Sequence, residues 1–393
     1  MLPLAAAAMV EQLTKTGNAS SLHTSGREAR RVVEESREQL AAALGAGPSE
    51  VIFTAGGTEA DNLAVKGLFW ARHDADPRRT RIIAGSIEHH AVMDPVDWLV
   101  AHEGAEVIWL PVDPVGRFDL GALNQILDDD PQTIALITLM WANNEVGTVQ
   151  PVAEVVALAH AHGIPVHTDA VQAVGQLPVD FAAVGVDCLT LSGHKLGGPI
   201  GVGALLARRG LELVPLLHGG GQERGIRSGT LDAAALRSFS VAAEQAVAGR
   251  PVEAQRLAGL RDQLVLAVQK QVPDAVLRGD PDDSGRLPGN AHFTFPGCEG
   301  DSLLYLLDAR GVECSTGSAC QAGVPQPSHV LLAMGVPELV ARGALRFSLG
   351  HTSTEQDVEA LAAAIGPVVE RARGAGLTAV PQGESHKLKE VAP

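Results

Sequence analysis

Apolar and polar positions along this chain follow two periods that take turns. From about residue 25, REARRVVEESREQLAAAL repeats apolar residues at helical spacing, with Ser25 placed to cap its start and Gly45 to end it. VIFT (51–54) is a short β-rich run, and AGGT then turns the chain into the helical EADNLAVKGLFWAR. RIIAGS (81–86) reads as extended, AVMDPVDWLVAHEG as a helix closed by Gly104, and EVIWL (106–110) as extended again. LGALNQIL is helical and TIALITLM (133–140) a buried strand. VAEVVALAHAHG sets apolar residues at 152, 155, 156 and 159, before the extended IPVHTDA, CLTLSGH and GVGALLA. Strands separated by helices of this length predict βαβ units, an α/β fold and a mostly parallel sheet covered on both faces.

The pattern changes after about residue 245. A long helix is predicted over roughly 252–271, followed by the loop-like DPDDSGRLPGN, the extended AHFTFPG, the helix DSLLYLLDARG and a Gly/Ser-rich loop around Cys320. Ser328 then opens the helix HVLLAMG. The expected division is a large domain over 8–250 and a smaller α+β domain over 251–375 that also takes residues 1–7. The polar, aperiodic tail 376–393 is expected to be disordered.

Composition narrows the function classes. A formal charge of −16 argues against non-specific nucleic-acid binding, which needs clustered Lys and Arg, so no direct nucleic-acid partner is expected. The four cysteines (188, 298, 314 and 320) lack the paired spacing of a zinc site and are too few for a disulfide framework. No metal is expected, and a reducing cytoplasm is the natural compartment. The opening MLPLAAAAMV has no basic region ahead of its apolar stretch, and no apolar run approaches the ~18 residues of a membrane span.

Several segments carry candidate chemistry where a strand gives way to a loop. Ala55-Gly56-Gly57-Thr58 can present backbone N–H groups to an anion, or be a tight turn. Asp169 in HTDAVQ, beside Gln172, can hold a protonated ring nitrogen, or cap a helix. Lys195 in SGHKLGGP suits a Schiff-base lysine, or an exposed loop position. His89 in SIEHHAV can stack on a planar cofactor or move protons, or be a bonded histidine at a helix start. GGGQERGIRSGT (219–230) reads as an anion-binding loop or as solvated arginines. ECSTGSACQAGVPQPSHV surrounds Cys320 with small and polar residues, which suits an exposed reactive thiol better than an inert one. Cys188, Cys298 and Cys314 read as structural; Cys314, in the same loop as Cys320, is the one among them whose reactivity stays open.

In this order, from about Gly17 to Gly350, these motifs resemble the cysteine desulfurases of the NifS/IscS type, within the fold-type-I pyridoxal 5'-phosphate enzymes. The Gly-Ser-Ala-Cys loop separates the chain from a mere class V aminotransferase fold-mate. The resemblance implies a seven-stranded sheet in the large domain and a homodimer. It implies that Lys195 carries the cofactor, Asp169 pairs with the ring nitrogen, and His89 stacks on the ring and assists proton transfer. Gln172 and Asn144 are placed at the ring hydroxyl, with Asn144 also helping to seat the substrate. Gly57, Thr58, Ser192 and His194 take the phosphate, and Thr230 reaches the phosphate in the partner subunit. Arg346 in ALRFSLG binds the substrate carboxylate, and Cys320 accepts sulfur from L-cysteine, leaving alanine. The length of the loop between Cys320 and Ser328 is similar to the NifS/IscS group, which implies handover to an iron–sulfur scaffold or tRNA-thiolating protein.

The start of the chain departs from the resemblance. Such proteins open with an extended Asp-x-Ala-Ala-Thr-Thr-Pro segment near the active site, whereas this sequence starts at Met1-Leu2-Pro3, so reduced activity is an expectation. The competing functions are a selenocysteine lyase, another transaminase-like enzyme, and a non-catalytic sulfur-transfer scaffold.

Overall fold

A computed structural model describes residues 1–317 and 326–377, with side chains as far as 374; Cys320 and the tail from 378 onward lie outside them. The larger sheet contains β1 (Val51–Thr54), β2 (Arg81–Gly85), β3 (Glu106–Leu110), β4 (Ile134–Met140), β5 (Val166–Asp169), β6 (Cys188–Ser192) and β7 (Gly203–Ala207). Its spatial order is β1-β7-β6-β5-β4-β2-β3. β3, β2, β4, β5 and β6 pair in parallel, as the crossover helices dictate. The link 193–202 between β6 and β7 is shorter than the dozen or so residues a parallel crossover needs, and β7 runs antiparallel to both neighbours. That reversal leaves β1 pointing the same way as the parallel set. Every residue of β4 is buried, as an unbroken IALITLM requires of a strand covered on both faces.

A second sheet, ordered β10-β9-β8, consists of β8 (Val276–Arg278), β9 (Asn290–Thr294) and β10 (Ala344–Ser348), all antiparallel. Its core joins Phe293, Phe295 and Phe347 to Ile365 and Val368 of the helix Glu355–Leu377.

Some elements differ from their sequence signals. The helix Thr24–Ala43 is capped by the ring of His23, which accepts from Gly26 N, because the chain turns two residues before the expected cap Ser25. A single helix, Ala233–Gln271, takes the place of the shorter one expected over 252–271. Asp232 caps it through Ala234 N and Ala235 N, and Pro251 sits within it, removing one donor without ending the helix. Packing holds both halves: Leu236 and Phe239 enter the first core, Leu260, Leu264 and Val268 the second. The opening MLPLAAAAMV carries no element in its sequence pattern, yet it begins the helix Pro3–Leu13. Leu2 N donates to Gly197 O at 2.7 Å, and Ser238 Oγ to Ala5 O at 2.8 Å, so this end lies beside the turn that carries Lys195.

Among the described residues no helix is long and apolar enough to cross a membrane. The described residues also hold no group of His, Cys, Asp and Glu suited to a metal ion.

The loop 219–230 is tied into the first core by a buried ion pair. Arg37 Nη1 and Nη2 donate to the two oxygens of Glu223 at 2.8 and 2.7 Å, and Phe53 N donates to the same carboxylate at 2.9 Å. Arg37 also lies 4.7 Å over the Phe53 ring. Removing Glu223 leaves the buried guanidinium only Val51 O and the partly exposed Glu34, so Glu223→Ala should cost about 3 kcal/mol. A shift of the urea midpoint checks this, with an exposed Glu35→Ala variant as the small-effect control.

Candidate active site

The carboxyl ends of β1, β2, β4, β5 and β6 meet along one edge of the large sheet. Their outgoing loops wall a cavity of about 620 Å³, closed from the second sheet by Arg346 and by Cys314–Gly317. Open α/β sheets bind ligands at this edge.

After β1 the chain enters the helix Gly57–Ala75 through Gly56, whose φ of 152° is glycine territory. Any side chain at Gly57 would put its Cβ 3.0 Å from Val171 Cγ2, so a glycine keeps the helix start close to the loop after β5. No side chain caps this helix, so its first N–H groups and the Thr58 hydroxyl can turn to a ligand. Ser192 and His194, joined Oγ to Nδ1 at 2.9 Å, line the same cavity. A helix N-terminus with three polar side chains is suited to an anion.

Asp169 ends β5 and is buried. Its Oδ1 accepts from Val171 N at 2.8 Å, so it is both the local cap and a cavity wall. Burial raises its pKa to about 6, against the pull of the Val171 amide and Lys195. Gln172 follows on the same loop and also faces the cavity.

Lys195 sits on the short turn Gly193–Leu196 after β6, whose Gly193 and Leu196 are buried. Its side chain is accessible through the cavity, yet the surrounding walls desolvate the ammonium and lower its pKa. Arg346 lowers it further, while Asp169 opposes both.

His89 follows β2 and caps the helix His90–Glu103, its Nδ1 accepting from Ala91 N at 3.0 Å. Burial, then His90 and Lys195, lower its pKa, so the ring is neutral at neutral pH. With Nδ1 an acceptor, the proton of that neutral ring is on Nε2. Asn144 lies in the loop after β4, and Arg346 on β10 donates through Nη1 to Asn144 O at 2.7 Å. That bond fixes the guanidinium against the cavity wall.

Ten of the residues expected from the sequence therefore share one cavity: Gly57, Thr58, His89, Asn144, Asp169, Gln172, Ser192, His194, Lys195 and Arg346. Thr230 is exposed and stands outside the wall, and Cys320 is outside the described residues. Of the loop 219–230, Arg224 is bonded to Val51 O at 2.8 Å and Arg227 to Glu59 at 2.8 Å. Both guanidiniums thus hold protein acceptors. Cys314 faces the cavity, but burial pushes its thiol up to about 11.

Three buried acids around this edge were not read from the sequence: Asp61, Glu88 and Glu145. Asp61 stands on the apolar stripe formed with Ala64, Val65 and Leu68, and an acid on a buried stripe was the available signal. It lines the cavity, with Oδ1 3.6 Å from Nε2 of His167. His167 is held between Thr138 and Thr190, and burial lowers it to about 3, so it is neutral and gives Asp61 no countercharge. Burial raises Asp61, and Asp169 raises it further; burial likewise raises Glu88. This acid-rich end calls for a positive partner, and the helix end for a negative one.

A planar ring with a cationic nitrogen and an anionic tail satisfies both ends of such a cavity. The fold and this site define a fold-type-I, pyridoxal-phosphate-dependent class of enzyme. The aminotransferase class-V family model matches residues 3–361. The chain is 58% identical to an IscS-like cysteine desulfurase of Mycobacterium tuberculosis, across 96% of each chain. It is 44% identical to the cysteine desulfurase IscS of Dictyoglomus turgidum, across 91% of this chain and 89% of that one. A solved NifS-like protein superposes with a TM-score of 0.86 at 34% identity, across 94% of this chain and 96% of the other. The chain belongs to the class-V aminotransferase family, in its IscS/NifS cysteine desulfurase group.

Proposed function

We propose that the protein takes the sulfur of L-cysteine onto Cys320 as a persulfide and releases L-alanine. The observation that carries this reading is the single cavity shared by Lys195, Asp169, His89 and Arg346, with Gly317, three residues before Cys320, in its wall.

Pyridoxal 5'-phosphate fits the donor set: Lys195 to hold it covalently, Asp169 at the ring nitrogen, and Gln172 and Asn144 at the ring hydroxyl. His89 would lie on its face, with Gly57, Thr58, Ser192 and His194 at the phosphate and Thr230 reaching across a homodimer. When bound, this cofactor supplies an electron sink for the bond electrons released at the substrate's Cα.

The protein's own groups do the rest. Arg346, already oriented by Asn144 O, binds the substrate carboxylate in a bidentate pair. Lys195, whose ammonium the cavity walls desolvate, is the group placed to take the Cα proton as an amine, and His89 offers its Nε2 proton nearby. The Cys320 thiolate attacks the substrate sulfur. An S–S bond forms as the Cβ–S bond breaks, and the electron pair goes to Cβ, which takes a proton to become alanine's methyl group. The persulfide then passes to a thiol on a cytoplasmic acceptor protein, an iron–sulfur scaffold or a tRNA-thiolating enzyme.

Incubation of the cofactor-loaded protein with cysteine should release alanine and add the mass of one sulfur atom to the peptide containing Cys320. Alanine release with sulfur on no cysteine, or pyruvate as the product, would refute the assignment.

A further inference from the structure

Glu145 has no part in the chemistry above, yet it is buried between the two sheets. Its backbone is fixed on both sides: Glu145 N donates to Asn143 Oδ1 at 2.9 Å, and Asn290 Nδ2 to Glu145 O at 3.0 Å. Its neighbour Asn144 presents the carbonyl that holds Arg346. The side chain is therefore aimed from a rigid base.

What that side chain touches is informative. Ser328 Oγ donates to Glu145 Oε2 at 2.5 Å, and the same Ser328 oxygen accepts Leu331 N to start the helix His329–Ala333. On the other flank, a Cβ added to Gly317 would fall 2.5 Å from the same Oε2 and 3.1 Å from His292 Nε2. Gly317 thus packs its bare backbone on this carboxyl group. One oxygen meets the last described residue before Cys320 and the helix cap after it. Burial, opposed by Ser328 and Arg346, raises Glu145 to about 7, so the site is an expensive place for a carboxyl group that only fills space.

We propose that Glu145 is a positioning residue that clasps both ends of the Cys320 segment and so sets where the acceptor thiol meets a substrate held at Arg346. This rests on the desulfurase reading. Positioning effects of this kind are large, since a misplacement of about 1 Å can cost on the order of a hundredfold in rate.

The test separates substrate binding from sulfur transfer in the cofactor-loaded full chain. Cysteine-induced absorbance changes report binding, and quenched mass spectra report the rate at which Cys320 gains sulfur. Glu145→Ala should keep the absorbance change at a near-normal cysteine concentration and slow persulfide formation by roughly ten- to a hundredfold. Glu145→Gln keeps an oxygen for Ser328 and should recover most of that rate. Gly317→Ala, which pushes the entry of the segment off the carboxyl group, should slow persulfide formation too, and it serves alone if Glu145→Ala does not fold. Persulfide formation at the normal rate in Glu145→Ala or Gly317→Ala would overturn the clasp. Loss of cysteine binding in step with the rate would overturn it as well, making Glu145 a support for Arg346. Wild-type protein that never gains sulfur on Cys320 would sink the desulfurase reading itself, and the clasp with it.

Discussion

Lys195→Ala should lower cysteine-dependent alanine release by about 10⁴-fold or more, the upper end of what a single positioned acid–base group contributes. The expectation follows from what else stands in the cavity. His89 is neutral and uses Nδ1 to accept from Ala91 N, so it has no lone pair free to take a proton. Asp169, proposed to pair with the ring nitrogen, already accepts from Val171 N through Oδ1, and that role commits it to positive charge instead of to the Cα proton. Arg346 never gives up its proton at neutral pH. The lysine is therefore irreplaceable among these groups. Its removal should leave the fold intact, because Gly193 and Leu196, not Lys195, are the buried residues of that turn. Single-turnover alanine formation, with circular dichroism to confirm folding, checks the result. Residual turnover within tenfold of wild type would contradict it.

Cys320→Ala has the second large effect, and it falls at a different step. The variant should bind cofactor and respond to cysteine as wild type does, while alanine release drops on the order of 10³-fold for want of a nucleophile. Cys314 faces the same cavity and is the obvious substitute. Its thiol, pushed up to about 11 by burial, is ionised at pH 7 to only about one part in ten thousand. Any rescue through Cys314 must then grow about tenfold per pH unit until pH approaches 11. A pH profile of the residual rate, with Cys314→Ser added to remove it, tests both halves. Full turnover in Cys320→Ala at pH 7 would end the assignment of the acceptor.

The strands and the site edge were legible because each depends on local sequence. VIFT, RIIAG and IALITLM are β-rich runs bounded by turns, and each ends one or a few residues before a polar group with a reason to be there. His89 caps its helix, as one of its two readings has it, and Asp169 caps a turn instead of a helix; side chains bonded in this way are also held still for a ligand. β8 and β10 were not legible. Three residues at a sheet edge, or five interrupted by Arg346, have too short a period to stand out from loop. Asp61 had a signal in its apolar stripe, but no local pattern distinguishes Glu145 or Glu88 from a solvated carboxylate. Their neighbours come from other strands and helices, such as Ser328 for Glu145 and Met140 N for Glu88. The helix expected over 252–271 begins instead at Ala233, because Pro251, a helix breaker by propensity, is tolerated where cores on either side hold the helix.

The helix Ala233–Gln271 has a further consequence. At 1.5 Å per residue its 39 residues make a rod of roughly 58 Å, embedded at one end beneath the large sheet and at the other beneath the small one. Neither core can lose its stretch of that rod without fraying the stretch that supports its neighbour. Melting of the two layers is thereby joined, and heat or denaturant meets them as one cooperative unit.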